Sequence, residues 1–163
     1  MIAWHNGAMR IAMVCHGNIC RSPMAAAVAR VLVAEAGLTE TVVVESFGTS
    51  REHAGEGIDP RAAAALARRG WSTTGHHARQ LRAADVASTD LVLCADRANL
   101  RDVLRLGVTD ADVRLLRSYD PDVGTDDEVP DPWFGSDADF DRALDLIERA
   151  CQGLVGQLAA VCR

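Results

Sequence analysis

At 163 residues, with 48% hydrophobic and 25% charged side chains, the chain has the composition of an ordinary globular domain with room for a proper core. All 17 basic residues are arginine, and the absence of lysine excludes a Walker-type nucleotide loop and Schiff-base chemistry. A net charge of −6 without a basic stripe argues against nucleic acid as a partner.

Five cysteines at irregular spacing, without a signal-peptide pattern or an apolar run long enough for a membrane span, point to a reduced, cytoplasmic setting and no membrane partner. Residues 1–8 carry no pattern and read as a flexible extension, so a single domain is expected over 9–163. Ile11 to Val14 is an apolar run read as a buried strand. Pro23 to Arg30 begins a helix with proline at its first position, where the missing N–H costs nothing, and Gly37 is its stop. Thr41 to Phe47 is β-branched and forms the second strand, followed by a polar loop from Gly48 to Gly57. Asp59-Pro60 caps a helix through Arg69 that Gly70 ends. Asp90 to Cys94 is the third strand, with a helix from Arg97 to Leu106 after it, and Val113 to Leu116 is the fourth. A loop rich in Asp, Pro and Gly runs from Asp120 to Gly135, and Asp137 to Val161 is a long amphipathic helix. Strands alternating with helices predict an α/β fold, a doubly wound four-stranded parallel sheet with helices on both faces.

The stretch Cys15-His16-Gly17-Asn18-Ile19-Cys20-Arg21-Ser22-Pro23 lies between the first strand and the first helix. A tight loop entering a helix offers backbone N–H groups and the positive end of the helix dipole to an anion. Gly17 allows close approach, and the Arg21 fork can grip two oxyanion oxygens. A thiol at Cys15 facing those donors is suited to act as a thiolate nucleophile, against the plain alternative of a buried core cysteine. Ser22 reads by default as a helix N-cap. Far downstream, Asp131 lies among eight Asp and one Glu between Asp120 and Asp141. Most of these carboxylates read as a solvated acidic loop. Asp131 is set apart by Pro130 and Pro132, which stiffen its loop, and by Trp133-Phe134, expected to wall it off in a partly buried setting suited to a general acid.

Val14 through Pro23, together with Asp131-Pro132-Trp133, resembles the phosphate loop and the acid loop of the low-molecular-weight protein tyrosine phosphatases. The resemblance runs from about Met9 to the last helix and implies a flavodoxin-like sheet of the phosphotyrosine phosphatase I type. It implies phosphotyrosine hydrolysis through a phosphocysteine on Cys15. No cofactor is expected, and no metal, since Cys15 and Cys20 lack two further partners at zinc-ligand spacing. Arg21 then binds the phosphate, Asp131 is the general acid and base, and Ser22 donates to the thiolate. It also implies that Asn18, Ser46 and His76 form a network holding the loop. His53 and His77 read simply as solvent-facing. Glu52, Trp133 and Phe134 are expected at the pocket rim. Glu52 stands where relatives often carry an aromatic residue, and Trp133-Phe134 where many carry tyrosines. Cys20 is either packing beneath the loop or, as in relatives, a reversible disulfide partner of Cys15. Phosphotyrosine proteins are the expected partners; a monomer is expected, with a weak dimer left open.

Three other readings are set against this one. Arsenate reduction on the same fold needs a cysteine relay about seven residues apart after the third strand; Cys94 has such a place, but Arg101 stands where its partner is needed, and Cys151 and Cys162 fall in the last helix. Phosphoarginine phosphatases resemble this chain but tend to carry threonine where it has Ile19, whose branched apolar side chain suits a phenyl ring. A non-catalytic phosphotyrosine-binding module is disfavoured by the intact nucleophile and acid.

Overall fold

Met9–Cys15 form strand β1, and apart from the half-buried Arg10 its residues are buried. Alternation of side chains along the strand explains why so continuous an apolar run is needed. Met9, Ile11, Met13 and Cys15 belong to one core layer, and Ala12 and Val14 to another on the opposite face. The computed structural model describes residues 7–73, 75–107 and 110–162. Of the extension expected over 1–8, residues 1–6 lie outside the described residues.

β1 is followed by α1 (Arg21–Glu35), β2 (Val42–Gly48), α2 (Pro60–Arg68), a short α3 (Ala83–Ala87), β3 (Leu91–Cys94), α4 (Arg97–Leu104), β4 (Asp112–Leu115), one 3-10 turn (Leu116–Tyr119) and α5 (Asp137–Val161). The four strands are parallel in the order β2-β1-β3-β4. The first layer packs the sheet against α1, α2 and α5; the second, with Phe47, Val86, Val92, Cys94 and Val103, lies beneath α3 and α4. This is the doubly wound four-stranded parallel sheet expected from the alternation of elements. In the order 2-1-3-4 the chain leaves β1 toward one edge and later returns to its other side. The crevice at the carboxyl ends of β1 and β3 is therefore the switch point at which such sheets bind ligands.

Local differences from the sequence reading have simple causes. α1 begins at Arg21, not Pro23, with Cys20 as N-cap and no side-chain cap bond. Pro23 is thus the third helical residue, still within the first turn, where N–H groups lack intrahelical partners. Ser22 is inside the helix, so it is not the N-cap. Asp59 caps α2 as expected, its carboxylate accepting from Arg61 N–H at 2.8 Å. α3 and the 3-10 turn, at five and four residues, are too short to show a period. In α5, buried Phe140, Ala143, Leu144, Ile147, Cys151, Leu154 and Leu158 recur at helical spacing and face α1 and the sheet.

Candidate active site

Cys15 ends β1 and is almost fully buried, and the loop from His16 to Cys20 turns the chain into α1. The amide N–H groups of Gly17, Asn18, Ile19 and Cys20 donate to no protein group among the described residues. A set of unpaired donors at a helix start, beside a buried arginine, is a cradle for an oxyanion. Gly48, the last residue of β2, supports it from behind. A Cβ there would stand 2.6 Å from the His16 carbonyl oxygen and 3.0 Å from Asn18 N, so only glycine lets the loop sit this close to the sheet.

The loop's shape is held from inside by Asn18. It is the one non-glycine residue with positive φ, +57°, among the described residues, and it is fully buried. Backbone N–H of Arg79 donates to Asn18 Oδ1 at 2.9 Å, which settles which end of the amide is oxygen. Asn18 Nδ2 must then donate to Ser22 Oγ at 2.8 Å and to Ser46 Oγ at 3.0 Å. With a lone pair so engaged, the Ser22 hydroxyl has its proton free for Cys15 Sγ, 3.0 Å away. His76 Nε2 lies 2.6 Å from the Asn18 carbonyl oxygen and donates to it. Asn18, Ser46 and His76 are therefore in contact, joined by Ser22 and by the Arg79 backbone, which sequence reading did not single out. Arg79 is carried there by a strand-like bridge between Gly48 and Gln80.

Arg21 is 3% exposed. Its Nη1 donates to Asp96 Oδ2 at 2.7 Å and to the Val129 carbonyl at 2.9 Å, while Nη2 is 3.6 Å from Asp131 Oδ2. Burial works against the charge of Arg21, but Cys15, the Asp96 hydrogen bond and Asp131 outweigh it and raise its pKa above the ordinary value. Asp96 was not singled out from the sequence. Its signal is faint, an Asp-x-x-Asn box that caps α4 immediately after β3.

The cleft above the loop has a volume of about 270 Å³. Cys15, Gly17, Ile19, Cys20 and Arg21 line its depth, and His16, Glu52, His53, Asp131, Trp133 and Phe134 its mouth. Two expectations are corrected here. Asp131 is not walled off: its side chain is 51% exposed, with Oδ1 accepting from Trp133 N–H at 3.1 Å, and Phe134 is 98% exposed rather than folded over it. A loop of this length, without secondary structure to bury it, keeps its carboxylate in contact with water. His53 faces solvent only in part, its side chain being 22% exposed. Its ring stands 5.3 Å from that of Trp133, its Nδ1 is 2.5 Å from Glu56 Oε2, and it covers Gly17 so closely that a Cβ there would meet Cδ2 at 2.9 Å. Exposed Glu52 lies 3.5 Å from His16 Nε2. His77 is exposed.

Trp133 is anchored by Arg61, which donates to its carbonyl at 3.0 Å and lies over its ring at 5.4 Å. Asp59 holds Arg61 through two further bonds, and its own N–H donates to the Ile19 carbonyl, tying the Cys15–Arg21 loop to α2 and to the loop that carries Asp131. Cys20 is buried, and burial first, then Asp59 and Cys15, push its thiol far above the ordinary range. Among the described residues no three His, Cys, Asp or Glu are grouped to hold a metal ion, and no helix is long and apolar enough to cross a membrane.

A parallel α/β sheet whose first strand ends on a cysteine, and whose following loop presents free amides and a buried arginine opposite a carboxylate, defines an oxyanion-handling enzyme site. The low molecular weight phosphotyrosine protein phosphatase family matches residues 10–162, and the chain belongs to that family of phosphoric monoester hydrolases. The low molecular weight protein-tyrosine-phosphatase of Streptomyces coelicolor is 48% identical over 156 residues, covering 93% of both chains. Among solved structures, a protein tyrosine phosphatase from Entamoeba histolytica with Hepes in its active site matches with TM-score 0.88 at 29% identity, over 96% of this chain and 100% of that one. A drosophila arginine phosphatase matches with TM-score 0.85 at 28% identity, over 92% and 98%.

Proposed function

We propose that the protein hydrolyses phosphotyrosine in proteins, and small aryl phosphates, through a phosphocysteine intermediate. The observation that carries the reading is the Ser22 hydroxyl 3.0 Å from Cys15 Sγ, in a cleft that also holds Arg21 and Asp131. The thiolate of Cys15 bonds to phosphorus as the bond to the phenol oxygen breaks. Asp131 in its acid form gives its proton to that oxygen, so tyrosine leaves neutral. The Asp131 carboxylate then takes a proton from water, whose oxygen bonds to phosphorus as the P–S bond breaks. Inorganic phosphate leaves, with thiolate and acid restored. The loop amides and the Arg21 fork hold the three non-bridging oxygens throughout and stabilise the charge of the transition state.

Ile19, almost buried in the cleft wall, and Trp133 offer an apolar slot to a phenyl ring, which supports phosphotyrosine over phosphoarginine. Cys94 and Cys151 are fully buried with thiols pushed up to about 12, which supports hydrolysis over a thiol relay. The reading places the protein in the cytoplasm, as a monomer acting without metal or cofactor; its five cysteines are free, the state a reducing compartment maintains.

The test is phenolate release from para-nitrophenyl phosphate under reducing conditions. Wild type turns over, Cys15→Ser is inactive, and Asp131→Ala loses about 10²–10⁴-fold in kcat while still binding phosphate. Full activity in Cys15→Ser sinks the mechanism. A preference for phosphoarginine over phosphotyrosine peptides, or thioredoxin oxidation driven by arsenate, replaces the substrate class.

A further inference from the structure

Behind the phosphate loop, α1 together with Ser72, Thr73 and His76 lines a surface recess of about 140 Å³. Pro23, Ala27 and Val31 form its apolar side. Its polar groups among the described residues are Arg30, Ser72, Thr73 and His76, and no carboxylate of the described residues lines it. Arg30 engages only Nε, which donates to the Val44 carbonyl at 2.9 Å, and among the described residues no carboxylate pairs with its guanidinium. Burial lowers its pKa, with Glu45 opposing and Arg79 adding to the effect. The hydroxyls of Ser72 and Thr73 have no protein partner among the described residues. His76 spends Nε2 on the Asn18 carbonyl, which leaves Nδ1, and the charged or titratable groups that face it are Arg30, His77 and Arg79. A cation, two free hydroxyls and an imidazole edge, gathered without an acid, are the donor set of an anion site.

We propose that this recess binds a small tetrahedral oxyanion of the inorganic phosphate type, held by Arg30, Ser72, Thr73 and His76, and that the bound anion reinforces the phosphate loop through His76. A negative charge beside the ring favours the imidazolium, and its Nε2–H then donates to the Asn18 carbonyl as a charge-assisted bond. The recess shares no residue with the cleft. Its filling by the reaction's own product rests on the phosphatase reading; the binding does not.

The experiment is a pH titration of the His76 ring by NMR in sodium sulfate, a dianion throughout the range, against sodium chloride at equal ionic strength. Sulfate is expected to raise the His76 midpoint by about one pH unit. The rise is lost in Arg30→Gln and in Ser72→Asp, while both variants keep the sulfate-induced shifts of the Gly17 and Ile19 amides at the cleft. A His76 midpoint equal in the two salts overturns the proposal. So does a rise that survives in both variants, because it is then transmitted from the cleft. If the Gly17 and Ile19 amides ignore sulfate in every protein while His76 responds, the cleft reading fails and the recess stands.

Discussion

Arg21 Nη1 lies 2.7 Å from Asp96 Oδ2, joining the first residue of α1 to the cap of α4 across the carboxyl ends of β1 and β3. The two strands that flank the switch point thus each contribute one member of a charge pair. The pairing leaves the Nη2 edge of the guanidinium for the cleft, where it stands 3.6 Å from Asp131. Asp96→Asn keeps a competent helix cap but removes the charge that fixes the fork. We expect kcat/KM for para-nitrophenyl phosphate to fall by about 10²-fold, the scale of a misplaced positioning group, with a small change in Tm. Wild-type kcat/KM in Asp96→Asn removes Asp96 from the orientation of Arg21.

Ser22→Ala deletes the hydroxyl that receives the Asn18 amide and points its proton at Cys15. A thiolate without that donor is less stabilised at rest and, in the mechanism proposed above, as a leaving group from phosphocysteine. Alkylation of Cys15 by iodoacetate at pH 6 should slow, and kcat should drop by about tenfold or more with KM little changed, because the lost bond belongs to the sulfur. Unaltered alkylation would mean the hydroxyl proton points elsewhere.

Gly48→Ala and Gly153→Ala separate loop shape from stability. At Gly48 the new methyl meets the backbone of His16, Gly17 and Asn18, so the phosphate loop must shift. Overpacking of this kind costs about 1–3 kcal/mol, and phosphate affinity should be lost with it. At Gly153, within α5, the methyl falls on the Tyr119 carbonyl, away from the cleft. Its variant should melt earlier yet keep the wild-type KM where it remains folded. Calorimetry and KM on both proteins decide the matter, and equal KM in the two contradicts the role given to Gly48.

Burial lowers the pKa of His76, with Arg30, His77 and Arg79 acting the same way against the Asn18 hydrogen bond. The unfolded chain therefore takes up a proton near pH 6.5 that folded His76 resists. The stability this neutral ring contributes is complete above about pH 6.5 and is lost as pH falls from there toward the lower folded midpoint. In chloride buffer, the Tm advantage of wild type over His76→Gln should shrink between pH 7.5 and 5.5. An advantage that grows on acidification would mean that His76 is held protonated.

The alternation of four β-branched or apolar runs with helical stretches, and the Cys15–Arg21 spacing at the first junction, were legible from the chain because they are local. Strand period, the helix cap at Asp59 and a glycine stop at Gly37 depend on neighbours a few residues away. The resemblance of Val14–Pro23 and Asp131–Trp133 carried the family in the same way. What sequence could not order were contacts between residues far apart. Asp96 meets Arg21 across 75 positions, Arg79 meets Asn18 across 61, and Arg61 reaches the Trp133 carbonyl across 72. Each depends on which strands lie side by side, and a lone Asp or Arg has no period to betray it. His53 is the plainest case. In sequence it is one polar residue in a polar loop, and only the packing of that loop over Gly17 and against Trp133 places its ring in the wall of the cleft. Asp131 is the converse, since the prolines beside it predict stiffness, but its exposure is set by where Phe134 turns, and Phe134 turns to water. Sequence by itself determined the layers and which residues make up the loop; the tertiary structure decided how Arg21 is aimed, how Asn18 is held and how open the cleft is, because those depend on distances through space that no local pattern encodes.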